Sequence, residues 1–117
     1  MSNKEICKFA IKWVNKFQEK NCNFHDIFES DEFPNECREL KFEMDCGNKF
    51  VEAYGNEMMK GNIRESEIEN INDIMILGSG IFSNWRYFNH WSYAGPSEED
   101  IKWFIIALTR LVELTKD

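Results

Sequence analysis

The hydrophobic positions at the N-terminal end of this chain follow the spacing of an α-helix. A Ser2-x-x-Glu5 capping box, in which each side chain can satisfy a free backbone N–H of the other, opens the segment. Apolar residues then recur at i, i+3, i+4, i+7, i+8 and i+11, which places them on one helix face. The pattern predicts a first helix that ends before Asn21 and buries Ile6, Phe9, Ala10, Trp13, Val14 and Phe17.

A second apolar seam follows Pro34 with alternating spacings of three and four residues, which predicts one long helix. Gly47 falls on this seam, so it is either a point of close approach between helices or a break in the helix. The seam consists of Cys37, Leu40, Met44, Gly47, Val51, Tyr54 and Met58.

A third seam begins at a second capping box, Ser66-x-x-Glu69, and continues through Gly78 to Trp85. This segment is apolar on two faces, which predicts a helix in the middle of the core. The run of small residues at positions 78–80 either kinks this helix or lets a neighbour pack closely.

The last predicted helix starts at Ser97-x-x-Asp100. Its apolar face consists of Ile101, Phe104, Ile105, Leu108, Leu111 and Val112. No run of strand length alternates cleanly between apolar and polar residues. We therefore predict an all-α fold, a single-domain bundle of four to five helices over residues 1–117.

Length and composition narrow the class of protein further. The 117 residues are 43% hydrophobic, enough for one core, and no stretch approaches the roughly 20 apolar residues of a membrane span. The N-terminus lacks the features of a signal peptide, and the four cysteines are too scattered for a disulfide scaffold. These observations predict a cytoplasmic protein with reduced thiols, with Cys7 and Cys37 close to buried helix faces.

The net charge of −7 is unevenly distributed. Eight acidic residues lie between Asp26 and Asp45, against only Arg38 and Lys41, whereas lysines repeat every four residues from Lys4 to Lys20. An acidic chain is poorly suited to neutralise phosphates, so no direct nucleic-acid binding is expected. The acidic segment either offers a surface to a partner or faces the basic helix within the monomer.

Catalytic and metal-binding patterns are sparse. Cys22-x-x-His25 has ligand types suited to zinc but lacks a second ligand pair at matching spacing. Only His25 and His90 could act as a histidine base, and neither lies in a nucleophile motif. We predict no catalytic residues, no metal and no cofactor.

The segment from Trp85 to Tyr93 carries five aromatic residues mixed with Arg, Asn and His. Aromatic anchors with an arginine are typical of protein interfaces and of ligand pockets. The alternative is that these residues are core and rim only. The candidate binding residues are Trp85, Arg86, Tyr87, Asn89, His90, Trp91, Tyr93 and Arg110.

A resemblance is carried by the residues from Ile76 to Tyr87 and by the later run from Trp103 to Leu114. Over the C-terminal third, the chain resembles an uncharacterised family of small bacterial proteins, a domain of unknown function. The resemblance implies a bacterial or phage setting and brings no activity with it.

Our leading interpretation is a non-enzymatic, regulatory protein-interaction module that binds a protein partner, with no membrane contact. A variant of this interpretation is an anti-defence protein whose acidic side chains stand in for phosphates in a partner's groove. The alternative is a small-molecule pocket between helices, in which Arg86, Asn89, His90 and Arg110 supply the polar contacts. The identity of the partner and a homo-oligomeric state both stay open.

Overall fold

The computed structural model describes residues 2–19, 27, 30–42, 52, 68–91 and 98–116, without the side chains of 87–91 and 99. Four helices and no strand lie within these residues, so the fold is an all-α helical bundle, as predicted. They are α1 (Asn3–Gln18), α2 (Glu32–Glu39), α3 (Ile74–Trp91) and α4 (Glu98–Thr115). The predictions made at Cys22, His25, Gly47 and Tyr93 fall outside the described residues.

Helix α1 begins as its sequence predicts. Ser2 is the N-cap, and its Oγ accepts a hydrogen bond from the Glu5 backbone N–H at 3.4 Å. The predicted apolar face is buried throughout except at Val14, which is half-buried. This face packs mainly against α4, where the Phe17 ring stacks on Phe104 with centroids 5.5 Å apart.

The predicted inner face of α4 is also confirmed. Ile101, Phe104, Leu108 and Leu111 are buried, and Ile105 and Val112 are half-buried. Apolar burial of this kind is the main source of stability in a helical bundle.

Helix α3 occupies the middle of the core. Every residue from 77 to 82 is buried, so this part of the helix is covered on all sides, as its two apolar faces predict. The helix runs through Gly78 and Gly80 without a break. A Cβ added at Gly78 would overlap the Phe42 ring, 2.6 Å from Cδ1 and closer still to Cε1 and Cζ. Of the two roles predicted for the small residues, close packing is therefore the one observed.

The long helix predicted from Cys37 to Met58 is wrong, because α2 ends at Glu39. The chain turns there through Lys41, whose φ of 63° lies in the left-handed region. The Lys41 N–H donates to the Arg38 carbonyl and the Phe42 N–H to the Cys37 carbonyl, both at 3.0 Å. These two bonds form a Schellman motif, which satisfies the last carbonyls of α2 and directs Phe42 into the core.

The predicted start of α3 at Ser66 is also wrong. Residues 69–73 are not helical, and the helix begins at Ile74. Asp73 caps it, since its Oδ1 accepts a hydrogen bond from the Ile76 backbone N–H at 3.0 Å. Ile68 and Ile71 are nevertheless fully buried, so their apolar spacing reflects core burial without a continuous helix.

Candidate functional site

Helix α2, from the acidic segment, is attached to the basic helix α1 by ion pairs. Lys12 Nζ lies 2.6 Å from Glu32 Oε1 and 2.7 Å from Glu36 Oε2, and Lys16 Nζ lies 3.9 Å from Glu32 Oε2. Part of the acidic segment therefore faces the basic helix within the monomer, which is one of the two arrangements expected from the charge pattern.

These contacts shift the proton affinities of both partners. Partial burial of Lys12 opposes its charge, but hydrogen bonds and charge attraction from Glu32 and Glu36 outweigh that effect and raise its pKa. The hydrogen bond from Lys12 is the main cause that lowers the pKa of Glu32. Because Glu32 remains 46% exposed, solvent screening keeps the net contribution of the pair to about 1 kcal/mol or less.

Helix α2 runs antiparallel along α3, as three contacts show. The Phe33 ring stacks on Trp85 with centroids 6.0 Å apart and planes at 29°. Further along, the Arg38 guanidinium lies 5.7 Å from the centroid of the Phe82 ring, and Phe42 covers Gly78. The start of α2 is therefore beside the second half of α3, where the segment of residues 85–93, here called the aromatic segment, begins.

The Phe33–Trp85 contact belongs to a larger aromatic cluster. Phe33 also meets Trp13 edge-on at 5.0 Å and the Phe9 ring at 5.5 Å. Phe33, Trp13 and Trp85 are all at most 3% exposed. The first residue of the aromatic segment is thus fixed in the core by α1 and α2.

The remaining candidate residues of the aromatic segment continue along α3. Arg86 is half-buried, directly after Trp85. Tyr87, Asn89, His90 and Trp91 lie on the last turns of the same helix. Positions 89 and 90 follow Arg86 by one helical turn, so the backbone places these positions near one another.

Arg110 does not belong to this group. Its Nε donates to the Ile71 carbonyl, its Nη2 to Asn72 Oδ1 and its Nη1 to Glu113 Oε2, each at 2.9 Å. These contacts hold it beside the start of α3, whereas Arg86 lies about 18 Å further along the helix at the usual rise per residue. Arg110 joins α4 to the segment that precedes α3.

Sequence reasoning missed Asn84, the residue before Trp85. Its side chain is 1% exposed, and neither of its amide atoms has a hydrogen-bond partner among the described residues. The available signal was an amide side chain one turn beyond Gly80 and Ile81, in a stretch of α3 whose other polar residues before Arg86 are serines.

A groove of about 300 Å³ lies between α1 and α2. Phe9 and Leu40 form its apolar part, and charged side chains of both helices surround it. Trp85 and Arg86 do not line this groove. It is therefore separate from the start of the aromatic segment.

Within the described part of the chain, no group of three or more His, Cys, Asp or Glu side chains is placed to hold a metal ion. Cys7 and Cys37 form no disulfide; Cys37 is buried, and burial raises the pKa of its thiol well above the usual range. No helix among the described residues is long and apolar enough to cross a membrane.

Comparison of this chain with protein families, with curated proteins and with solved structures finds no match.

Proposed function

We propose that this chain is a non-enzymatic protein-interaction module that binds its partner where α2 and α3 meet. The binding surface, here called the α2–α3 surface, consists of Asp31 and Glu32 at the start of α2, Arg86, and helix positions 87–91 of α3. The observation that carries the proposal is the stack of Phe33 on Trp85. It brings together the acidic segment and the aromatic segment, which are separated by some fifty residues in the sequence.

A rigid base favours binding at this surface. Phe33 and Trp85 are buried, and Trp13 supports them from α1. This packing already orders the backbone beneath the surface, so little backbone ordering is needed when a partner binds, which favours affinity. Aromatic residues and arginine are also the types that most often dominate interface energies.

The charge at the start of α2 indicates the chemistry of the partner. Asp31 is exposed and forms no ion pair with any described residue. Glu32 keeps nearly half of its surface in solvent despite its contact with Lys12. A partner with basic side chains would meet a negative rim, which mainly increases the rate of association. The proposed partner is therefore a protein with a basic contact surface, in a bacterial or phage setting.

Site-specific photo-crosslinking tests this proposal. A benzophenone amino acid replaces Arg86 in one variant and Thr109 in a matched control, and each variant is irradiated in cells of the organism that carries the gene. Thr109 is exposed on α4, and its hydroxyl donates to the Ile105 carbonyl within the same helix. We expect a discrete protein adduct from position 86 and none from position 109. The same adducts from both positions, or none from position 86, would contradict the proposal.

Removal of a charge then tests whether the acidic residues at the start of α2 attract the partner that crosslinking identifies. Asp31→Asn is compared with Glu69→Gln, which removes one exposed charge near the opposite end of α3. Asp31→Asn should slow association several-fold at low salt, and the difference should shrink as salt screens the charges. Glu69→Gln should leave the rate unchanged. Equal effects of the two substitutions would show that only net charge matters.

A further inference from the structure

The groove between α1 and α2 takes one face from each helix. Positions 5, 8, 9 and 12 of α1 and positions 36, 39 and 40 of α2 line it, and both sets follow the spacing of neighbours on a helix surface. Its volume of about 300 Å³ is at the lower end of the range for small-molecule sites. The groove is therefore of a size for a small ligand, and too small for a folded segment of a partner.

An ion pair lies at one end of this groove. Lys12 Nζ is 2.7 Å from Glu36 Oε2, so these two charges satisfy each other. The ion pairs between α1 and α2 follow the two chains in opposite directions, which shows that the helices are antiparallel. Glu5 and Glu39 consequently line the other end of the groove, toward the start of α1 and the end of α2.

The remaining charges of the groove are unpaired and of both signs. Glu5, Lys8 and Glu39 are exposed, and none of them forms an ion pair with another described residue. Lys8 follows Glu5 by three positions, so the two side chains leave neighbouring points on the helix surface. Phe9 and Leu40 are buried and form the floor, and the hydrocarbon stem of Lys8 adds to the apolar part. The groove thus offers unpaired charges of both signs beside an apolar floor.

We infer that this groove binds a free α-amino acid with an apolar side chain. Such a molecule carries an ammonium and a carboxylate on one carbon, which matches opposite charges that are one helical turn apart. The ammonium pairs with the carboxylates of Glu5 and Glu39, and the carboxylate accepts hydrogen bonds from Lys8. The side chain covers Phe9 and Leu40.

A ligand with a single charge fits this groove less well. A simple cation would be repelled by Lys8, and a simple anion would be repelled by Glu5 and Glu39. The groove shares no residue with the α2–α3 surface, so the amino-acid site and the proposed function can each fail alone.

Three probes of similar shape test the inference on the unmodified protein. L-Phenylalanine carries both charges, 2-phenylethylamine lacks the carboxylate, and 3-phenylpropanoate lacks the ammonium. Binding is followed near neutral pH and at low salt by nuclear magnetic resonance, through the backbone amide signals of Phe9 and Leu40. We expect L-phenylalanine to shift these signals saturably and to bind about fivefold more tightly than either analogue, because each analogue lacks one charge-assisted contact.

Two lysine variants identify the group that recognises the carboxylate. Lys8→Met should weaken L-phenylalanine binding about fivefold without weakening that of 2-phenylethylamine. Lys4→Met is the matched control, because Lys4 is exposed on the same helix but does not line the groove; it should bind L-phenylalanine as the unmodified protein does. Equal affinity for L-phenylalanine and either analogue, or equal losses in the two variants, would overturn the inference. So would unshifted signals of Phe9 and Leu40 up to the solubility limit of L-phenylalanine.

Discussion

Replacing Gly78 with alanine is expected to destabilise the protein, although alanine is normally the better helix residue. In an unhindered helix interior the exchange would stabilise by about 1 kcal/mol. Here the new methyl group would overlap the Phe42 ring, 2.6 Å from Cδ1 and closer to two other ring atoms. Phe42 is 1% exposed and packs edge-on against Phe9, so its ring has little room to move. Overpacking of this kind costs about 1–3 kcal/mol.

The overpacking cost, reduced by the gain in helix propensity, leaves a net loss of up to about 2 kcal/mol. Urea unfolding, followed by far-ultraviolet circular dichroism, should show the midpoint lowered by up to about 1 M with the slope unchanged. The control is the same substitution in a Phe42→Leu background, where leucine lacks the Cε1 and Cζ atoms that approach most closely. There Gly78→Ala should be nearly neutral or stabilising. A loss of equal size in both backgrounds would refute the packing of Phe42 over Gly78.

Three further predictions concern substitutions of single residues. Lys41→Gly should raise stability by about 1 kcal/mol in urea unfolding, because glycine adopts the positive φ at the end of α2 without strain; a loss would mean that the Lys41 side chain stabilises the turn. The unmodified protein should be more stable than Lys12→Met above pH 4.5, and this difference in unfolding free energy should shrink as the pH falls further, because the folded-state pKa of Glu32 is lowered. A difference that stays constant in acid titrations would contradict the Lys12–Glu32 ion pair. Arg110→Met should lower the melting midpoint by several degrees, because the buried carbonyl of Ile71 loses its donor; an unchanged midpoint would contradict this role.

The sequence pattern was sufficient for helices α1 and α4 because one apolar face determines each of them. Ile6, Phe9 and Trp13 repeat at helical spacing, and so do Phe104, Leu108 and Leu111; all six are buried. Burial of an amphipathic face dominates the energetics of such helices, so periodicity alone identifies the inner side.

Helix boundaries in the middle of the chain were not predictable in the same way. Cys37 and Leu40 fit a helical seam, yet the helix ends between them. A turn at Lys41 then buries Phe42, which lies outside the seam. Ile68 and Ile71 fit a seam as well, but the chain is not helical at Ile71. Hydrophobic spacing reports burial, and a tight turn can bury two nearby residues as well as a helix can. The left-handed conformation at position 41 could not be predicted, because the residue there is a lysine and not the glycine or asparagine that usually adopts it.

The candidate site was likewise only partly predictable from the sequence. The prediction of Arg86 as a binding residue remains a prediction, while Arg110 is held by backbone and side-chain contacts some forty residues away in sequence. Such pairings arise from tertiary packing and leave no local pattern. The stacking of Phe33 on Trp85 could not be predicted from the sequence for the same reason, because it depends on the antiparallel placement of α2 along α3.

The most direct test of the proposed function compares Arg86→Lys with the unmodified protein in two measurements on the same preparation. One is the affinity for the partner recovered by crosslinking, and the other is the melting midpoint. Lysine keeps the charge but loses the planar guanidinium, which can stack on a ring and donate two parallel hydrogen bonds. We expect an affinity about tenfold weaker with an unchanged midpoint. A midpoint lowered by several degrees with full affinity in the folded fraction would contradict it and make Arg86 a structural residue.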